Sequence, residues 1–422
     1  MQKKQISDQV RNRLAVIIFI AQGFFSASTI AAFTLSPIIV TAMAGEQAAG
    51  FPSMFGLVGR AAFAYPFGYL MDRLGRRLAL AGGYSLAIVG AAASIYAVIN
   101  NSYLWFLIGA LLIGMSRSAS DQSRYIAAEI FPIERRASII SWIVFAGTIG
   151  AIFGPRMVEP SARIMNRFGI EGTIATNSGP FAAAGLAVFI GSLLTFLFLR
   201  PDPLELGRQV AKKEAEEDAD SIENLKEERS ITTIFSQPLV QLSVVAMTLG
   251  YFVMSFLMTI TPVHMANNGH EPGAIANVIM AHTLGMFGLS WLTGRLVKQF
   301  GQVPMIYAGS GILILSAIIS PISTEVPVLA LALFLLGLGW NFAFVAGSSL
   351  LSNALTSYER ARGQTAAETL VALTTGLSGL TVGTVYGISG YIGNSIVGGA
   401  LSLLLLLLTV WFTQRDQAHK NG

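Results

Sequence analysis

Four side chains in the second half of the sequence have the types and spacing to do chemistry. Met254 and Met258 stand four residues apart, and so do His282 and Met286. On a helix that spacing puts both members of a pair on one face, about one turn apart. Thioethers and imidazole make a ligand set for copper, chiefly Cu(I), and a poor one for Mg, Ca or Mn. Methionine alone says little, because 14 are present and they also fill gaps in apolar packing. Histidine is scarcer: there are four, and only His282 falls deep inside an apolar run. An imidazole buried in lipid needs a partner, which is a hydroxyl, a carboxylate or a metal. The chain has no cysteine, so disulfides and thiolate ligands are excluded.

The elements that must position these groups follow from composition. Of the 422 residues, 53% are hydrophobic and 12% charged, where a soluble domain carries about 25% charge. That points to a polytopic membrane protein embedded in the lipid bilayer. Twelve runs approach the length of roughly 20 residues that a spanning helix needs: about 14–40, 48–71, 78–99, 103–127, 137–158, 179–199, 238–263, 273–296, 302–322, 326–351, 361–386 and 388–412. The expected fold is all-α, with twelve transmembrane helices in two six-helix bundles. Residues 1–200 form the first bundle, 201–236 a charged linker and 237–422 the second bundle. The N-terminal lysines and arginines lead straight into the first run without a small-residue cleavage site, so that helix is expected to be retained. Lys and Arg gather in alternate loops, at Arg73, Arg76, Arg77, Arg135, Arg136, Arg295 and Lys298, and in the linker and both tails. The opposite loops carry almost none beyond Arg163 and Arg167, which puts both termini in the cytoplasm.

The halves resemble each other. Gly68-Tyr-Leu-Met-Asp-Arg-Leu-Gly75 follows the second run and Gly294-Arg-Leu-Val-Lys-Gln-Phe-Gly301 the eighth, an offset of 226; Glu134-Arg-Arg-Ala137 and Glu359-Arg-Ala361 repeat at 225. A parallel repeat of six spans is the organisation of a transporter that rocks two halves about a central cavity. The stretch Gly68, Asp72, Arg73, Gly75, Arg76, Arg77 resembles the G-x-L-x-D-R-x-G-R-R loop of the major facilitator superfamily. The resemblance covers the whole chain and implies that fold, which works as a monomer, while saying little about substrate.

Ionisable groups within spans are costly and are functional candidates by default. Arg60 lies about 11 residues, roughly 16 Å, before the inner end of the second run. Arg117, Asp121 and Arg124 recur at i, i+4 and i+7 of the fourth run, and Glu129 lies near its inner end. With Asp72 and Arg136 the fourth-run cluster reads as an inner gate of ion pairs; proton coupling and an anionic substrate are the competing uses. Arg60, Glu129, Asn341 and Glu368 are candidates for substrate contact or coupling, against bland roles as ion pairs, for Glu368 as a gate partner close to Arg360 and Arg362, and as interhelical hydrogen bonds. No Ser-His-Asp set, catalytic carboxylate pair or phosphate loop is present, so an enzyme and a prosthetic group are not expected. The net charge of +4 lies in short clusters, which argues against a nucleic-acid partner.

The soft-ligand pairs fall on the seventh and eighth runs. If the turn between them centres near Asn268-Gly269, antiparallel positions whose numbers sum to about 536 lie at equal depth, and Met254 and His282 meet that condition. Met258 and Met286 then stand one turn to either side. His264, Met265 and His270, at the mouth, read as ordinary loop residues before ion collectors. The two motifs, their spans and their separation resemble the CcoA-like copper importers of bacteria, which supply copper for cbb3-type cytochrome oxidase. That resemblance implies copper as the transported ion, import across the inner membrane, Met254 and His282 as primary ligands, and Met258 and Met286 as supporting ones. A related branch resembles riboflavin transporters. In such a carrier, or in another organic-solute transporter of this fold including a drug exporter, the methionines pack, and His282 donates a hydrogen bond to the solute.

Overall fold

The computed structural model describes residues 8–217, 231–355 and 360–421; the side chains of 133, 134, 136–138, 141, 144, 151, 211–217, 231, 360–362, 365 and 419–421 lie outside that description. The gate expectation for Arg136, and the proximity of Glu368 to Arg360 and Arg362, therefore fall outside the described residues. Among the described residues the α-helices follow in chain order: α1 (Asp8–Thr34), α2 (Ser36–Ala44), α3 (Phe51–Leu74), α4 (Arg76–Ile99), α5 (Tyr103–Glu129), α6 (Ile133–Arg156), α7 (Val158–Arg167), α8 (Gly172–Phe198), α9 (Pro203–Glu217), α10 (Ile231–Phe235), α11 (Pro238–Asn267), α12 (Pro272–Phe287), α13 (Ser290–Phe300), α14 (Gln302–Ile319), α15 (Val326–Ala354) and α16 (Arg360–Asn421). Among the described residues nine helical stretches are long and apolar enough to cross a membrane by length and composition. One of them, Ala366–Ala418, lies within α16 and contains the kink at Gly390.

The chain forms two compact units, Met1–Leu35 with Phe55–Leu225, and Ser36–Met54 with Lys226–Gly422. In the first, α4 packs against α5 and α8, and α1 against α6 and α8. Tyr84 and Phe25 stack at 5.2 Å within its core. In the second, α11 packs against α16 and α15, α14 against α15 and α16, and α12 against α15. The segment Ser36–Met54, expected with the first bundle, packs within the second unit: Ala49 is part of its core, and an added Cβ on Gly50 would collide with the Gly379 carbonyl oxygen.

The repeated loop glycines show why the repeat exists. Gly75 (φ 85°, ψ 164°) and Gly301 (φ 91°, ψ 168°) take the same conformation immediately before α4 and α14. Side chains with a Cβ rarely adopt a positive φ there, so both halves keep glycine. The turn between α11 and α12 is a Schellman closure: the N–H of His270 reaches the Met265 carbonyl at 3.1 Å and that of Gly269 the Ala266 carbonyl at 3.0 Å. Pro272 then opens α12 in its first turn, where its missing N–H costs nothing.

Candidate functional site

α11, α12 and α15 carry the soft-ligand residues and their surroundings. α12 and α15 approach so closely that an added Cβ on Gly285 would meet the Phe334 carbonyl oxygen, and one on Gly337 the His282 carbonyl oxygen. This close approach brings the His282 ring to α15. Its Nδ1 lies 2.9 Å from the Leu333 carbonyl oxygen, while Nε2 is buried with no hydrogen-bond partner. A carbonyl accepts only, so Nδ1 carries the proton and Nε2 is left as a bare lone pair. The residue is 0% exposed.

Met254 and Met286, 3% and 8% exposed, belong to one buried cluster of the second unit, and Met258 packs against it. The turn lies slightly later than the sequence suggests. Asn267 ends α11 and Pro272 begins α12, so residues at equal depth have numbers that sum to 539 (267 and 272). Met258 with His282, and Met254 with Met286, each sum to 540 and so lie within about one residue of equal depth, whereas Met254 and His282 sum to 536. Among the described residues no three His, Asp or Glu side chains gather as a metal site.

At the mouth, His264 stacks on Tyr391 at 4.2 Å with its Nδ1 3.4 Å from the Tyr386 hydroxyl. His270 Nε2 lies 2.8 Å from the Thr324 carbonyl oxygen, and Met265 is wholly buried. All three have structural employment.

Asn341, on α15, makes the interhelical hydrogen bonds expected of a polar residue in a span. Its amide nitrogen donates to the Met286 carbonyl at 2.7 Å and to Ser290 Oγ at 2.9 Å, and its Oδ1 accepts from Thr293 Oγ1 at 2.5 Å. Beside it, Trp340 stacks on Phe344 at 5.1 Å and meets Tyr251 edge-on at 5.6 Å. The Trp340 indole nitrogen is buried without a hydrogen-bond partner.

In the first unit the charged candidates sort into two groups. Arg60 Nε lies 2.6 Å from Asp121 Oδ2, linking α3 to α5. Arg76 binds Glu129 through two contacts, Nε to Oε1 at 2.9 Å and Nη2 to Oε2 at 3.2 Å, and donates from Nη1 to Asp72 Oδ1 at 2.8 Å. Arg73 lies over the Tyr69 ring at 4.5 Å and Arg124 over Tyr125 at 4.9 Å. Arg117 is exposed and Gly68 faces open space; in the second unit, Glu368 on α16 is exposed as well.

Two residues of this unit escaped the sequence. Asp202 accepts from the backbone N–H of Arg76 at 3.0 Å and of Arg77 at 3.1 Å, capping α4 from across the chain. Its neighbour Leu204 N–H also bonds to it, at 2.9 Å. Gln22 Oε1 accepts from Ser120 at 2.9 Å, Ser123 at 3.0 Å and Tyr84 at 3.4 Å, beside Asp121. The sequence offered a signal for the first, an Asp opening a helix in the pattern Asp-Pro-Leu, and none for the second.

Comparison with known proteins gives a consistent picture. The Major Facilitator Superfamily profile matches residues 15–318 and 244–422. An uncharacterized MFS-type transporter of Bacillus subtilis, YdeG, is 32% identical over 407 residues, covering 94% of this chain and 91% of the relative. The riboflavin transporter RfnT of Brucella anthropi is 29% identical over 390 residues, 90% of each chain. Among solved structures, a partially occluded inward open form of the xylose transporter XylE from E. coli superposes with a TM-score of 0.70 at 14% identity, covering 96% of this chain and 98% of that one. An inward-facing bacterial homolog of the human lysosomal transporter Spinster gives 0.71 at 13% identity, covering 98% of both chains.

Proposed function

The chain belongs to the major facilitator superfamily of transporters, which are not enzymes and hold no prosthetic group, and on that premise we propose that it imports copper across a bacterial inner membrane by alternating access. One observation carries the copper reading: His282 donates Nδ1–H to the Leu333 carbonyl and keeps Nε2 unpartnered in the buried interior. A backbone carbonyl on the far nitrogen is the usual second partner of a metal-binding imidazole, because it fixes the tautomer and raises the basicity of the free nitrogen. An unpaired buried acceptor is expensive, on the order of 1–3 kcal/mol, and a passing Cu(I) would satisfy it. The thioethers of Met254, Met258 and Met286 supply soft, neutral ligands on the same elements. No fixed charge has to be buried, so a Cu(I) ion held there keeps weak bonds it can leave. The likeness to the CcoA-like importers fits this reading in motif and spacing.

A second reading is an organic-solute carrier, riboflavin-like or an exporter. It draws on the 29% identical riboflavin transporter and on the Tyr251, Trp340 and Phe344 cluster, whose unpartnered indole N–H and stacked rings suit a planar solute.

Cells lacking the protein test the first reading. They should accumulate less radioactive copper and lose copper-dependent oxidase activity, with added copper restoring that activity. Unchanged copper content, together with riboflavin uptake conferred on an auxotroph, would move the assignment to the second reading.

A further inference from the structure

The helix that carries His282 and Met286 is broken one residue beyond Met286. α12 ends at Phe287 and α13 begins at Ser290, with Gly288 and Leu289 as a turn between them. Irregular backbone at membrane depth persists only where neighbouring groups re-satisfy the freed polar atoms. Here one side chain does so on both sides of the break. Asn341 donates to the Met286 carbonyl (2.7 Å) before it and to Ser290 Oγ (2.9 Å) after it, and it accepts from Thr293 Oγ1 (2.5 Å) one turn into α13. Ser290 Oγ also lies 3.3 Å from the Met286 carbonyl.

The two halves are anchored unequally. α12 is locked to α15 by the backbone approaches at Gly285 and Gly337. α13 touches α15 and α14 only sparsely, and Val297 and Thr293 are its buried residues. A rigid segment joined to a lightly packed one by a turn is the anatomy of a hinge.

We infer that Asn341 is a positioning residue, a clasp that holds α13 in line with α12, and that opening the clasp lets α13 swing about Gly288-Leu289. Met286, a proposed ligand, sits against that hinge, so the swing moves it and offers the ion a way out. This last consequence rests on the copper reading; the hinge itself does not.

Because the chain has no cysteine, a single Val297→Cys variant reports the hinge by its rate of maleimide labelling in membranes. Asn341→Leu in that background should raise the rate about thirtyfold, because each of the two hydrogen bonds to α13, at Ser290 and Thr293, is worth a factor of about five. Thr293→Val, which removes one of the three partners and keeps the shape, should raise it by a smaller factor. It also serves if the Asn341 variant fails to reach the membrane. Labelling unchanged from the Val297→Cys parent in the folded variants overturns the clasp, with or without copper present. If the clasp is real and the copper reading holds, Asn341→Leu lowers maximal copper uptake more than it changes the half-saturating concentration. If labelling rises while neither variant nor parent carries copper, the hinge stands and the cargo assignment fails.

Discussion

His282 and Leu333 are joined by a 2.9 Å contact from imidazole Nδ1 to carbonyl oxygen. The contact exists because α12 and α15 meet through glycine, with no Cβ between the His282 backbone and Gly337. Ring orientation, tautomer and the free Nε2 all follow from that meeting.

Gly337→Ala tests the dependence. A methyl there would press on the backbone of His282 and, at 2.8 Å, on the Met286 nitrogen. Overpacking against backbone costs about 1–3 kcal/mol, and the Nδ1 bond should be lost as the helices part. The purified variant is expected to unfold at a lower temperature and to bind Cu(I) more weakly. An unchanged unfolding temperature would show that the helices have room to spare.

Asp202 should behave as a helix cap. Asp202→Ala removes acceptors from the N–H groups of Arg76 and Arg77 and should cost about 1–2 kcal/mol in the first unit. Asp202→Asn keeps the oxygen that serves Arg76 and Leu204 but replaces the one that serves Arg77 with an amide donor, so it should cost less than Asp202→Ala. Equal losses in thermal unfolding would mean that a single retained acceptor contributes nothing to the cap.

The Arg60–Asp121 pair joins α3 to α5 at 2.6 Å. Its side chains are 35% and 30% exposed, so screening keeps its worth on the order of 1 kcal/mol. A double-mutant cycle on Arg60→Ala and Asp121→Ala, read by thermal unfolding, should return a coupling of about that size. Coupling indistinguishable from zero would leave the pair without a stabilising role.

Much of this was legible in the residues. The apolar runs marked the long helices, and the Gly75 and Gly301 repeat marked two loops that share one backbone conformation. Met254 and Met258 fall on α11 and His282 and Met286 on α12, but the turn between them shifts the summed numbering by about three. Pro272 marks the true start of α12, and the last turn of α11 extends past His264 to Asn267. The break at Gly288-Leu289 left no such mark, because it contains no proline and is held by Asn341 from another helix. The linker carried a faint signal: Leu206 and Val210, spaced i to i+4 in a charged run, are buried against the first unit's helices. Long-range pairings such as Asp202 with Arg76, or Gln22 with Ser120 and Ser123, depend on which helices become neighbours, and no local pattern encodes that.

Radioactive copper uptake into membrane vesicles, wild type beside His282→Ala and Met254→Ala at matched protein levels, bears most directly on the central claim. A Met/His copper site predicts saturable uptake in the wild type and a fall to background in both variants. Full uptake in both would contradict the Met/His site.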